Sequence, residues 1–278
     1  MQRVKELADA ALHPVYRARG RRPWSPGYQT AKRRAIEQAI DERLLAGGGA
    51  LPAAFGAGLD ERVIEYAWVY ARLPSAPGTV LDAGSSLNHR FLLDRPPIAD
   101  ANLTICTLAP EKRCYWTRAI SYVYDDLRDS RFNDGAFDVV ISISTVEHIG
   151  LDNARFYTAD GSKRESDRLG FVPALHEFRR VLKPGGTCFV TVPFGRVANH
   201  GWFQVFDGAM VQSMIEAFGP SETEIAHFGY SAAGWSPATA DALKDATFFD
   251  INARASYDAD LAAGARGVVC LRLTAPAG

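Results

Sequence analysis

The sequence predicts an α/β fold, a mostly parallel sheet with helices on both faces, and three observations predict it. From residue 79 onward, apolar strand-like runs alternate with helix-period segments. The first run, Thr79-Val-Leu-Asp-Ala-Gly-Ser85, ends in an acid and a tight glycine turn. Well downstream, Glu177-Phe-Arg-Arg-Val-Leu-Lys-Pro-Gly-Gly-Thr187 runs into Cys188-Phe-Val-Thr-Val192. That reads as a helix stopped by Pro-Gly-Gly and followed by another buried strand.

In chain order, residues 1–75 read as a helical extension of separate character, and 76–278 as the α/β domain. Val4, Leu7, Ala8, Ala11 and Leu12 fall near helical spacing until Pro14 and Arg19-Gly-Arg-Arg-Pro23 interrupt them. A second helix fits 30–45, stopped by Gly47-Gly-Gly49. A third starts near Asp60, runs through Val63, Ile64, Tyr66, Ala67, Val69 and Tyr70, and ends before Pro74 and Pro77. Between Arg3 and Arg43 there are ten bases against five acids. The plain reading is a solvated helical face; the alternative is an anion-binding arm. Beyond residue 78 the expected strands are 79–83, 103–108, 122–125, 137–144, 187–192, 224–228 and 268–274. The expected helices between them include 111–120, 172–182 and 208–218. The segments 151–169 and 195–207 are too long for simple connectors, and long loops at the carboxyl ends of parallel strands are where substrates bind.

Bulk properties exclude more than they identify. The chain has 278 residues, 47% hydrophobic and 23% charged, with net charge -1. Nothing in the total implies nucleic acid or an anionic membrane. Cys106, Cys114, Cys188 and Cys270 are scattered without metal spacing, and three of them sit in apolar runs. Reduced thiols and a cytoplasmic location are expected. The N-terminus lacks an apolar signal core and no run reaches membrane-span length.

The two segments quoted above, in this order, resemble the class I S-adenosylmethionine-dependent methyltransferases. The likeness extends to the type 11-like proteins, and covers roughly residues 78–194. The stretch from Asp60 through Trp68, with Asn88-His-Arg-Phe-Leu-Leu93, 122–126 and 143–153, is similar to a bacterial subgroup that accompanies glycan or secondary-metabolite pathways. The resemblance implies a Rossmann-like seven-stranded sheet of order 3-2-1-4-5-7-6, with the seventh strand antiparallel. It implies S-adenosyl-L-methionine as cofactor.

Site residues follow position by position. The turn Asp82-Ala-Gly-Ser-Ser-Leu-Asn88 stands where the family has Asp-x-Gly-x-Gly-x-Gly. Gly84 keeps the first glycine, which lets backbone approach a ligand. Ser86 and Asn88 replace the other two, so Ser85, Ser86 and Asn88 read as a polar lining for the cofactor's amino-acid end. A strand-to-helix turn with a helix cap is the equal alternative. Thr107 falls where the family places a ribose-binding acid, and Glu111 lies beyond it. Trp116 could cover the site or be core. Asp126 takes the position that receives the adenine amino group, and Leu127 the neighbour whose amide faces the ring. Asp125 and Asp126, adjacent in extended chain, should point opposite ways. Ser144 ends the fourth strand beside the cofactor.

On the acceptor side, Ser142-Ile-Ser-Thr-Val-Glu-His-Ile149 puts His148 where the family has Glu-His. A leaving thioether needs no acid, so the protein must position the acceptor and remove its proton. His148 suits that task, with packing as the other reading. His200 and Asp207 compete for it, with a helix cap the favoured reading of Asp207. Trp202, Gln204 and Tyr157 are expected to meet substrate. No metal-binding pattern is present.

The function expected is O-methylation of a small-molecule, sugar or glycan-precursor hydroxyl. The alternative is a cofactor-binding, non-catalytic partner subunit, which the altered Ser86, Asn88 and Thr107 keep open. A nicotinamide-dependent enzyme is disfavoured because Gly-Ser-Ser-Leu-Asn is not GxGxxG. The partner expected is a small-molecule or glycan acceptor, with no nucleic acid and no membrane span, and a homodimer is left open. Val63, Ile64, Trp68 and Tyr70 are too apolar for a free arm, so the extension is expected to pack as a cap that shapes the acceptor pocket.

Overall fold

The structure, a computed structural model, describes residues 11–254 and 256–278. The expected helical positions Val4, Leu7 and Ala8 lie outside the described residues. The chain divides into two compact units. One comprises residues up to 72, 193–196 and 226–268; the other comprises 73–192, 197–225 and 269–278.

In the first unit, residues 11–18 are helical, followed by α1 (Tyr28–Asp41) and α2 (Arg62–Arg72). The expected helix at 30–45 is thus shorter and starts earlier. Every residue from Val63 to Tyr70 is buried, including Val63, Ile64 and Trp68 at 0% exposure. A helix that is apolar all round belongs inside a core. Glu65 is its one buried acid and is paired with Arg62. Residues 226–268 are stitched to the N-terminal residues, which the sequence reading did not anticipate. Trp235 Nε1 donates to Leu59 O (3.0 Å), Ala265 N to Glu61 Oε2 (3.0 Å) and Gly58 N to Tyr230 OH (2.9 Å).

The strands are β1 (Thr79–Ala83), β2 (Asn102–Cys106), β3 (Ser121–Val123), β4 (Phe137–Ile143), β5 (Leu182–Pro193), β6 (Ala198–Asn199), β7 (Gln204–Val205), β8 (Glu222–Ser231), β9 (Gly234–Ala238) and β10 (Gly267–Thr274). The main sheet has the order β3-β2-β1-β4-β5-β10-β8-β9. β1, β2, β3, β4 and β5 pair in parallel. Ala275 N donates to Gly186 O while Phe194 N donates to Gly267 O, so β10 runs antiparallel to β5. This is the expected 3-2-1-4-5-7-6 order with β10 as the seventh strand, and β9 added at the edge. The fold is Rossmann-like. β9 was not expected; its Pro237 fits only an edge strand, where a missing N–H costs no ladder bond. The short antiparallel pair β6–β7 was also missed.

The Pro-Gly-Gly stop ends α3 (Phe171–Val181) and serves the sheet, not the site. Leu182 pairs with Phe137 and Thr187 with Val139, so residues 183–186 bulge out between them. Lys183 Nζ then reaches Asp138 (2.8 Å), whose carboxylate also accepts Thr79 N and Oγ1 (2.9 and 2.7 Å). Burial raises the Asp138 pKa, but the Lys183 and Thr79 hydrogen bonds outweigh it and hold it at about 2. The bulge thus ties the starts of β1, β4 and β5, at the sheet end opposite the cavity. α4 (Gly208–Phe218) is capped by Asp207, which accepts Met210 N (2.9 Å), as expected. All four cysteines are free thiols, and Cys106, Cys188 and Cys270 are buried as expected.

The expected helix 111–120 does not form. Only a single 3-10 turn, Trp116–Arg118, is present. Tyrosine hydroxyls and the Asn88 amide engage the backbone of this segment instead. Glu111 N donates to Tyr124 OH (3.4 Å) and Tyr115 N to Tyr122 OH (2.9 Å). Asn88 Nδ2 takes the Arg113 carbonyl (3.0 Å). Cys, Tyr, Trp and Thr are weak helix formers, so tertiary hydrogen bonds win locally.

Candidate cofactor and acceptor cavity

The cavity lies at the carboxyl ends of β1, β2, β3 and β4, where open α/β sheets bind ligands. It encloses about 340 Å³ and is lined by residues between Gly84 and Trp202 in sequence.

Asp82 ends β1 fully buried and faces the turn, not the cavity. Its carboxylate accepts Ser86 N (3.0 Å), Ser86 Oγ (3.0 Å) and Leu87 N (2.8 Å). Burial pushes its pKa up to about 7, against the opposing effect of those hydrogen bonds. Gly84 and Ser85 both have left-handed backbones, at φ 117° and 63°. Gly84 lines the cavity. Its lack of a Cβ is enforced by packing, because a Cβ there would overlap Thr145 Oγ1. Packing on Thr145 thus adds a second reason for glycine beside the expected approach to a ligand. Ser85 Oγ is buried with no hydrogen-bond partner among the described residues.

Ser86 is spent on Asp82. Asn88 is turned towards the 107–119 segment, with Oδ1 accepting Tyr122 OH (3.0 Å) and Nδ2 holding Arg113. Neither is a lining residue, and nor is Ser85, so the expected polar lining is not formed by these three side chains. Asn88 instead organises the segment that follows Thr107. Thr107 lines the cavity together with Leu108 and Ala109. Trp116 is 80% exposed and neither covers the site nor enters a core.

Asp125 and Asp126 diverge, as expected of neighbours in extended chain. Asp125 closes the turn, accepting Asp126 N (3.1 Å) and Arg131 N (3.0 Å). Asp126 lines the cavity beside Leu127. Its oxygens accept Arg128 N (2.9 Å), Nε (3.0 Å) and Nη2 (2.7 Å). Burial would raise the Asp126 pKa, but the Arg128 hydrogen bonds outweigh it and lower it. Arg128 in turn donates to both oxygens of Glu165 (3.0 and 2.7 Å). This paired fork joins the β3 turn to the 151–169 segment across the cavity wall. The sequence marked neither Arg128 nor Glu165.

Ser144, with a left-handed backbone at φ 40°, and His148 line the opposite side. His148 Nδ1 lies 2.8 Å from Trp202 O. A carbonyl only accepts, so Nδ1 carries the proton and, in the neutral ring, Nε2 carries the lone pair. The ring also stacks on Trp202, with centroids 4.9 Å apart. Asn153 Nδ2 donates to the same Trp202 carbonyl (3.1 Å) and to His148 O (2.8 Å). Arg155 lies over the Trp202 and Phe156 rings (4.6 and 4.7 Å). Tyr157 and Trp202 line the cavity as expected.

Two residues expected on the acceptor side are elsewhere. His200 stacks parallel on Phe203 (4.3 Å) in the turn between β6 and β7 and is not a lining residue. Gln204 is fully buried, with Nε2 donating to Arg168 O (2.9 Å). It pins the end of the 151–169 segment, because a buried amide is held where its hydrogen bonds are.

The residues present suit an adenosyl sulfonium ligand. Leu108, Leu127 and Ile149 offer apolar walls, Asp126 an anion and Thr107 a hydroxyl. Among the described residues no cluster of His, Cys, Asp and Glu could hold a metal ion, and no helix is long and apolar enough to cross a membrane.

No family model matches the sequence, and no curated protein matches it. Solved structures do. A SAM-dependent methyltransferase of Thermotoga maritima is 14% identical, covering 87% of this chain and 98% of its own, with a TM-score of 0.45. The phosphoethanolamine N-methyltransferase 2 of Haemonchus contortus, solved with S-adenosylhomocysteine, is 14% identical over 73% of this chain and 50% of its own (TM-score 0.43). The [4+2]-cyclase SpnF is 15% identical over 73% and 76% (TM-score 0.42). Likeness at this level leaves activity to be argued from the site itself.

Proposed function

We propose that the protein is an S-adenosylmethionine-dependent methyltransferase that acts on a hydroxyl of a small molecule, sugar or glycan precursor. The observation that carries this reading is one cavity, at the carboxyl ends of the parallel strands, lined jointly by Gly84, Thr107, Asp126, Leu127, Ser144 and His148. When bound, the cofactor would supply an electrophilic methyl group on a sulfonium.

The chain's own residues supply the rest. Asp126 and Leu127 hold the adenine end and Thr107 the ribose. Asp82 contributes from behind by fixing the turn, as a positioning residue. The Nδ1 proton of His148 is committed to the Trp202 carbonyl, and Nε2, 4.0 Å from Glu147 Oε1, is the nitrogen proposed to take an acceptor's proton. Trp202, Phe156 and Tyr157 give the acceptor a flat, partly apolar wall.

Titration calorimetry on the full chain tests the cofactor. S-adenosylhomocysteine is expected to bind and NADH is not; the reverse result overturns the reading. Methyl transfer is then assayed from labelled S-adenosylmethionine to panels of sugars, phenols and amines. Transfer to amines with none to hydroxyls would keep the cofactor and overturn the O-directed part.

A further inference from the structure

We propose that Asp126, Arg128 and Glu165 form a relay through which cofactor binding sets the acceptor wall. The relay rests on the cofactor reading above and deepens it. Cofactor enters first, and its arrival at Asp126 fastens the 151–169 segment, which carries Phe156 and Tyr157. Asp126, Arg128, Phe156, Tyr157 and Glu165 all line the same cavity.

The segment depends on this tie. Its base is pinned, with Asp167 N donating to Gly150 O (2.7 Å) and Gln204 Nε2 to Arg168 O (2.9 Å). Its middle is not packed, since no residue from Arg155 to Leu169 is buried. Two 3-10 turns, Ala154–Phe156 and Gly161–Lys163, shape it from within. Arg155 and Phe156 add ring contacts to Trp202. Beyond them, among the described residues, the only hydrogen bonds from residues 157–166 to anything outside 151–169 are the two that Glu165 accepts from Arg128 (3.0 and 2.7 Å). A stretch with so few buried contacts opens at low cost, and one tie then decides how often it does.

Arg128 is shared between two carboxylates, and the sharing lets it pass a signal. Asp126 Oδ1 accepts Arg128 N and Nε (2.9 and 3.0 Å), and Oδ2 accepts Nε and Nη2 (3.1 and 2.7 Å). These contacts come close to filling the lone pairs of a carboxylate. Nε divides one proton between both Asp126 oxygens, while Nη2 donates to Asp126 and to Glu165. An adenine amino group donating to Asp126 therefore has to displace a side-chain bond of Arg128. Glu165 is already in reach of the same guanidinium, so the displaced donor strengthens that fork instead of being lost. Cofactor occupancy thus stiffens the acceptor wall without touching Glu165. Arg128 and Glu165 act as positioning residues, through the segment they tie.

The test is amide hydrogen exchange of the full chain, read by mass spectrometry with and without saturating S-adenosylhomocysteine. In wild type, exchange over residues 155–166 is expected to slow on binding. Coupling is reciprocal, so the slowing should match the affinity lost on removing Glu165, about two- to threefold. In Glu165→Ala and in Asp126→Ala, each at saturating ligand, residues 82–88 should still gain protection while 155–166 gains none. Thermal unfolding checks each variant, and Glu165→Gln replaces Glu165→Ala if that fails to fold. Unchanged exchange over 155–166 in wild type, with 82–88 protected, overturns the relay and leaves the cofactor reading standing. Slowing over 155–166 that survives in Glu165→Ala means that the ligand touches the segment directly, and it overturns the relay too. No protection anywhere and no heat in calorimetry would bring down the relay and the cofactor reading together.

Discussion

Asp82 and Asp126 stand in equivalent places, one at the end of β1 and one just past β3, and the sequence assigns both to the cofactor. Their environments differ. Asp82 is fully buried and spends its oxygens on Ser86 and Leu87. Asp126 is half-buried, lines the cavity and is paired with Arg128. The difference comes from which donors the local backbone presents. A tight turn after β1 folds Ser86 and Leu87 back onto Asp82. After β3 the turn-closing work falls to Asp125, and Asp126 is released to the cavity. Position in the sheet nominates a carboxylate; the turn that follows decides whether it builds the site or touches what fills it.

Breaking Asp82 should have the largest effect. Asp82→Ala strands three buried donors and is expected to cost roughly 2–4 kcal/mol of stability, a drop of several degrees in thermal unfolding. An unchanged melting temperature would refute its structural role.

Asp126→Ala should invert that pattern. Stability should change by less than about 1 kcal/mol, because its ion pair is partly solvated. Affinity for S-adenosylhomocysteine should fall by about 1–3 kcal/mol, roughly five- to 150-fold by calorimetry. Asp125→Ala should weaken binding less. An equal or larger loss at Asp125 would mean that the wrong carboxylate has been placed at adenine.

The pH dependence sharpens the contrast. Asp82 has a folded pKa near 7, above its ordinary value of 3.8. The folded state therefore binds more protons than the unfolded chain between these values. This group's stability contribution is present below pH 4 and lost as pH rises towards 7. Asp126 has a lowered pKa, so its contribution runs the other way, lost as pH falls below the ordinary carboxylate range. The stability advantage of wild type over Asp82→Asn should shrink from pH 4 to pH 7, measured by denaturant unfolding. A constant difference across that window would contradict the burial effect.

The smallest effect is expected at Glu165. Glu165→Gln weakens the outer half of the Arg128 fork and should change S-adenosylhomocysteine affinity less than about threefold, since a partly solvated pair is worth little. A tenfold change would make the 151–169 segment part of the cofactor site.

The legible parts of this molecule are those governed by local pattern. β1 and α4 have the bounds their sequences predict, since apolar alternation, an N-capping Asp207 and helical spacing act over a few residues. Gly84, Thr107, Asp126 and His148 reach the cavity because each follows a strand whose end was recognisable. The failures have distant causes. Residues 111–120 lose their helix to Asn88, Tyr122 and Tyr124, none of which lies within it. Gln204 was read as a substrate contact, but its partner Arg168 stands 36 residues away. The Arg128–Glu165 fork spans 37 residues, and no spacing announces it.

The Trp202 carbonyl, which receives both His148 Nδ1 and Asn153 Nδ2, also makes His148 a gauge. Free imidazole favours the other neutral tautomer, so a ring held with its proton on Nδ1 is a signature of that carbonyl being in place. Nitrogen chemical shifts of His148 would therefore report, in solution and with no ligand added, what fraction of molecules has the turn between β6 and β7 seated on the 145–153 segment. A shift towards the free-imidazole pattern on warming would time the release of that turn separately from the unfolding of the sheet.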